Sequence, residues 1–116
     1  MEYRLLGGSG LKVSAIGFGA MTFGGTAHFA RVGTTRAEEA ERIVGRALDG
    51  GITFFDTADA YSAGLSEEIL GSALGSRRAD AILATKVAVR NGAGPNDIGL
   101  SRHHIMRSCE SSLRRM

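Results

Sequence analysis

The chain has one cysteine, one proline and no tryptophan in 116 residues, and aromatic side chains make up only 6% of it. A single thiol, Cys109, cannot build an internal disulfide framework, which fits a reducing compartment. No apolar run approaches the ~20 residues that a membrane-spanning helix needs. The start, Met1-Glu2-Tyr3-Arg4-Leu5, has no apolar secretory core, so the cytoplasm is the expected compartment and no membrane partner is expected. Charge of one sign is scarce as well: Lys+Arg number 14 against 12 Asp+Glu, a net charge of +2. The arginines are scattered, and no aromatic residues interleave with them as a nucleic-acid stacking surface would require. Neither a G-x-S-x-G nucleophile elbow nor a phosphate-binding P-loop is present. Gly17-Phe18-Gly19-Ala20-Met21-Thr22 starts like a dinucleotide fingerprint but carries threonine where the third glycine belongs.

Glycine is what the chain has in excess. Seventeen of them are about twice the usual ~7%. They stand singly or in pairs between apolar segments, as turn and helix-end residues do. With 43% hydrophobic and 22% charged residues, the composition is that of one globular domain.

The segments follow in order. Residues 3–13 read as a hairpin turning at Gly7-Gly8-Ser9-Gly10, and Ile16–Gly19 as a first core strand. A long loop, 20–34, follows, of a length that is usually functional or mobile. Thr35 to Leu48 reads as a helix opened by a Thr35/Glu38 capping box, its apolar stripe running Ala37, Ala40, Ile43, Val44, Ala47 and Leu48. Gly50-Gly51 ends it. A strand at 52–56, a helix over 66–74 stopped by Gly75, and a strand at 81–85 come next. Ser101 then caps a last helix, with Leu100 and Ile105 as a hydrophobic staple and Ile105, Cys109, Leu113 and Met116 as its buried stripe. The adjacent His103 and His104 point about 100° apart on that helix and suit solvent better than a shared metal.

Such β-α-β-α-β-α alternation implies a parallel sheet with right-handed crossovers. Three such strands close nothing: the last presents an unpaired edge, an invitation to self-association. The chain therefore reads as the first part of something larger.

Chemistry is expected at the carboxyl ends of such strands. The strand at 52–56 ends on Asp56, the loop after it carries Tyr61, and the next strand runs into Lys86. A phenol with an ordinary pKa near ~10 is a poor acid at neutral pH, and a neighbouring ammonium favours its ionised form. A carboxylate holds that ammonium in place. Asp56, Tyr61 and Lys86 thus make a unit suited to protonating a carbonyl oxygen while a hydride reaches the carbon. Asp56 and Asp59 could share a cation, but no histidine or cysteine joins them at metal-site spacing. No resident metal is expected.

The motifs, taken in order, resemble the N-terminal part of the aldo/keto reductases. They are Leu11-Lys12-Val13-Ser14 with Gly17-Phe18-Gly19; Phe55-Asp56-Thr57-Ala58-Asp59-Ala60-Tyr61; Ser66-Glu67-Glu68-Ile69-Leu70-Gly71; Thr85-Lys86; and Gly99-Leu100-Ser101-Arg102. The resemblance implies an α/β fold, the N-terminal part of a (β/α)8 TIM barrel: a hairpin plus about three βα units. Residues 1–116 would be the N-terminal fragment of a single barrel domain. It implies NADPH-dependent reduction of aldehydes and ketones, with a small carbonyl compound as partner. Tyr61 matches the family's general acid, Lys86 the lysine that lowers the tyrosine pKa, and Asp56 the aspartate that pairs with it near the nicotinamide ribose. Ala20 and Met21 match cofactor-contacting positions. The family's catalytic histidine lies on a fourth strand, beyond Met116, so activity is expected of a longer parent rather than of these residues alone. Two other readings stay open: an auxiliary binding subunit with this fold, and a truncated product without catalysis.

Overall fold

The computed structural model describes residues 1–116, the side chain of Ala27 excepted. Strand β1 (Tyr3–Leu5) pairs antiparallel with β2 (Lys12–Ser14), and Gly7 and Gly10 take the positive φ of +56° and +79° that the turn requires. This hairpin is a sheet of its own. Its far end is fastened by a reciprocal pair of 3.0 Å hydrogen bonds: the Ser14 N–H donates to Thr53 Oγ1, and the Thr53 N–H to Ser14 Oγ. Tyr3 adds a bond from its hydroxyl to the Gly51 carbonyl, 3.1 Å.

The second sheet is parallel. Its order is β3 (Gly17–Gly19), β4 (Phe54–Asp56), β5 (Ile82–Ala84), with Gly19 beside Asp56 and Asp56 beside Ala84. Helix α1 (Ala37–Asp49) joins β3 to β4, and α2 (Leu65–Leu74) joins β4 to β5. Short 3-10 turns at Tyr61–Gly64 and Gly75–Asp80 flank α2, and α3 (Arg102–Arg115) follows a long loop. Phe23, Val44, Phe55 and Leu70 are fully or almost fully buried in one core between the sheet, α1 and α2. Phe18 tilts against both Phe23 and Phe55, at centroid distances of 5.8 and 5.4 Å. Burying one such side chain is worth about 1.5–3 kcal/mol. Strand β5 leaves the expected open edge.

Four local expectations fail. The Thr35/Glu38 capping box does not form; α1 starts two residues on, with Arg36 at the N-cap and no side-chain cap. Thr35 is instead bridged to Phe23, its N–H donating to Thr22 O and its carbonyl accepting from Gly24 N–H. That fixes its backbone outside the helix. Ala37 is accordingly exposed, while Ala40, Val44, Ala47 and Leu48 hold the buried stripe. On α3, Ser101 does cap, accepting from His104 N–H at 3.2 Å. Leu100 and Ile105, however, remain exposed and make no buried staple.

The largest revision concerns the buried face of α3. It consists of His104, Ser108 and Ser112, whereas Cys109 and Leu113 are exposed and only Met116 of the expected stripe joins the core. Polar partners on the loop and on α2 set this face: Ser108 accepts from Asn91, and the carbonyl of Arg115 lies against Gly71, where any Cβ would collide with it.

Candidate active site

The parallel ladder continues past β4 and carries the site with it. The Thr57 N–H donates to Ala84 O at 2.9 Å and the Asp59 N–H to Lys86 O at 3.1 Å. Asp56 and Lys86 are thereby held at neighbouring strand ends. The Lys86 ammonium donates to Asp56 Oδ2 at 2.7 Å and to the Thr57 carbonyl at 2.6 Å. Its third neighbour is the Tyr61 hydroxyl, at a long 3.5 Å, and its Nζ lies 5.0 Å from that ring's centroid. Partial burial by itself lowers the pKa of Lys86. Its hydrogen bond and Coulomb attraction to Asp56, and then to Tyr61, outweigh burial and raise it above the ordinary lysine value. The lysine is a fixed positive charge at the phenol.

Tyr61 is aimed by a strained turn. The two residues after it, Ser62 and Ala63, have φ of +51° and +58°, a conformation that costs a non-glycine residue about 1–2 kcal/mol. Ser62 is buried and ties this turn to the long loop: its Oγ accepts from Gly25 N–H at 2.9 Å and donates to Phe23 O at 3.1 Å. Thr26 donates to the Ser62 carbonyl at 2.6 Å. Gly24 lets the two segments meet, since a Cβ there would stand 2.7 Å from the Ser62 side chain. From the same loop, Phe29 packs edge-on against the Tyr61 ring, 5.2 Å between centroids. The loop of 20–34 is thus one wall of the site.

Tyr61, Lys86, Phe29 and His28 line an open cleft of about 1050 Å³, closed on its other side by α3. The five residues singled out in the sequence do not share one environment. Asp56, Tyr61 and Lys86 come together, and Met21 is exposed near the end of β3. Ala20 is fully buried: its N–H donates to Asp56 O, and its carbonyl accepts from Phe23 N–H and the Ser66 hydroxyl. Asp59, considered with Asp56 for a cation, is buried and bonded to Asn91 instead. Among the described residues, no cluster of three His, Cys, Asp or Glu could hold a metal.

Sequence reasoning missed two parts of this region. His104, expected in solvent, is 2% exposed with both ring nitrogens engaged. Glu67 is fully buried and paired with Arg115. The only sequence signal for either was a polar residue inside a helix that also carries an apolar stripe.

Residues 15–116 match the aldo/keto reductase family. The chain belongs to that family. It is 44% identical over 120 residues to a protein of Arabidopsis thaliana named "Probable voltage-gated potassium channel subunit beta", covering all of this chain and 34% of that one. It is 43% identical over 127 residues to the uncharacterized oxidoreductase YrpG of Bacillus subtilis, covering all of this chain and 36% of that protein. Among solved structures, it superposes on the holo form of an aldo-keto reductase from Bacillus halodurans with a TM-score of 0.78 and 39% identity, covering 99% of this chain and 36% of the other. The chain therefore spans about a third of the length of these relatives, and its parallel α/β sheet corresponds to part of the aldo/keto reductase barrel. No described helix is long and apolar enough to cross a membrane.

Proposed function

We propose that residues 1–116 form the N-terminal part of one barrel domain, and that the protein carrying them reduces small aldehydes or ketones to alcohols with NADPH. The observation that carries this reading is the Asp56–Lys86–Tyr61 cluster, a phenol held at a fixed ammonium beside an open cleft. Tyr61 gives its proton to the carbonyl oxygen, and Lys86 stabilises the charge left on the phenol oxygen. The 3.5 Å separation is loose for a hydrogen bond, as catalytic contacts without substrate often are. Asp56 keeps Lys86 charged and pointed at Tyr61.

The residues present fit the nicotinamide end of a dinucleotide. Asp56 Oδ2 is taken by Lys86, but Oδ1 accepts no hydrogen bond among the described residues and is free for a ribose hydroxyl. Met21, 44% exposed, gives apolar surface at the end of the neighbouring strand β3. A nicotinamide cofactor bound there would supply the hydride to the carbonyl carbon.

The experiment is Tyr61→Phe in the complete protein. Carbonyl reduction should fall about 10²- to 10⁴-fold, the range of a lost general acid, with NADPH affinity retained. Unchanged turnover would remove Tyr61 from the mechanism. The potassium-channel-subunit name of the Arabidopsis relative supports a second reading, an auxiliary binding subunit. Slow turnover of every carbonyl offered, together with tight NADPH binding, would favour that one.

A further inference from the structure

Behind the proposed catalytic residues lies a polar chain that the mechanism above does not use. Asp59 belongs to the segment that carries Tyr61, and its backbone N–H holds the carbonyl of Lys86. Its carboxylate is buried, with 4% of the residue exposed, and accepts from Asn91 Nδ2 at 2.9 Å. The same Nδ2 donates to Ser108 Oγ at 3.0 Å. On the other side of the amide, Asn91 Oδ1 faces His104 Nε2 at 3.1 Å, and His104 Nδ1 faces the Gly99 carbonyl at 2.8 Å.

The amide nitrogen of Asn91 serves Asp59 and Ser108 together, and its oxygen faces the His104 ring. The ring in turn bridges Asn91 and the Gly99 carbonyl, so α3 is tied to the preceding loop at both ring nitrogens. A buried carboxylate is costly unless it is hydrogen-bonded, and among the described residues Asn91 is the one side chain that bonds Asp59.

We propose that Asp59, Asn91 and His104 form a positioning relay, in which the His104 ring on α3, through Asn91, anchors the segment presenting Tyr61 and Lys86. Asn91 is the joint: it lies in the loop between β5 and α3 and connects that loop, α3 and the Tyr61 segment with one amide. His104 and Asn91 touch no reacting atom. They act through Asp59, whose displacement would shift Tyr61 against Lys86, and a misplacement of ~1 Å at a reacting group can cost about 100-fold in rate.

The role in catalysis rests on the proposed function, whereas the anchoring does not, so two readouts keep them apart. The first is amide hydrogen exchange at Asp59, whose N–H holds the Lys86 carbonyl. It should quicken about 10-fold or more in Asn91→Ala, and unchanged exchange would overturn the relay whatever the protein catalyses. The second is Asn91→Ala in the complete protein, an exposed loop position whose truncation leaves the core intact. It should lower kcat for carbonyl reduction about 10- to 100-fold, with KM and NADPH affinity largely retained. A wild-type kcat in Asn91→Ala, in a protein that Tyr61→Phe inactivates, would overturn the positioning role. If Tyr61→Phe is itself fully active, it is the proposed function that fails, and hydrogen exchange at Asp59 alone decides the relay.

Discussion

The structure contains two carboxylate–cation pairs of nearly equal length in opposite surroundings. In one, Glu67 Oε2 receives both Nε and Nη2 of Arg115 at 2.6 Å, and Oε1 receives the Thr85 hydroxyl at 2.6 Å. Glu67 is 0% exposed and both its oxygens are filled. In the other, Asp56 meets Lys86 at 2.7 Å, but the two side chains are 42% and 50% exposed, and one carboxylate oxygen is left open. The first pair joins α2 to the end of α3, and its carboxylate has no oxygen left open for a ligand. The second has a free acceptor, a lysine held near a phenol, and access to solvent. Burial rather than pair length separates the structural from the chemical use of the same two groups.

Breaking the buried pair should give the larger effect. Arg115→Leu would leave the Glu67 carboxylate buried with only Thr85 for company, and loss of one partner from such a pair costs about 3–5 kcal/mol. Urea unfolding should show that loss as a lower midpoint. A shift worth under ~1 kcal/mol would put Glu67 in the class of the exposed pairs. Lys86→Met should behave in the opposite way. Its effect on stability should be no more than ~1 kcal/mol, the range of exposed pairs, while carbonyl turnover in the complete protein falls about 100-fold or more. A variant that unfolds but keeps its turnover per folded molecule would erase the contrast.

The same distinction explains how far the sequence was legible. The hairpin, the parallel alternation and the Ser101 cap follow from turn residues and apolar periodicity, which act between near neighbours. Asp56, Tyr61 and Lys86 were legible because strand ends in parallel α/β folds project their side chains to one side. What could not be read are features decided by distant partners. Thr35 looks like a cap until Phe23 claims its backbone. Glu67 stands among polar residues at the start of α2, yet it is fully buried against Arg115, 48 residues on. Ile105, Cys109 and Leu113 have the spacing of a buried stripe. Asn91, Glu67 and Gly71 instead favour the face with His104, Ser108 and Ser112. The positive φ at Ser62 and Ala63 has no local signature, since neither is glycine; hydrogen bonds from Gly25 and Thr26 hold Ser62 there.

The smallest effect concerns pH and probes the exposed pair alone. Asp56 and Tyr61 raise the folded-state pKa of Lys86 despite its partial burial. A raised pKa means that the folded chain binds this proton more tightly than the unfolded one. The stabilisation is therefore complete below the ordinary lysine value of ~10.4 and disappears as pH climbs through the higher folded value. The stability difference between the wild type and Lys86→Met should accordingly stay level from about pH 7 to 9 and shrink only at more alkaline pH. With half of the lysine side chain in solvent, screening keeps the whole difference small. Equilibrium unfolding of both proteins across that range measures it. A difference that grew with pH would mean that burial outweighs Asp56 at this lysine, and the carboxylate could no longer be credited with holding the ammonium charged at the phenol.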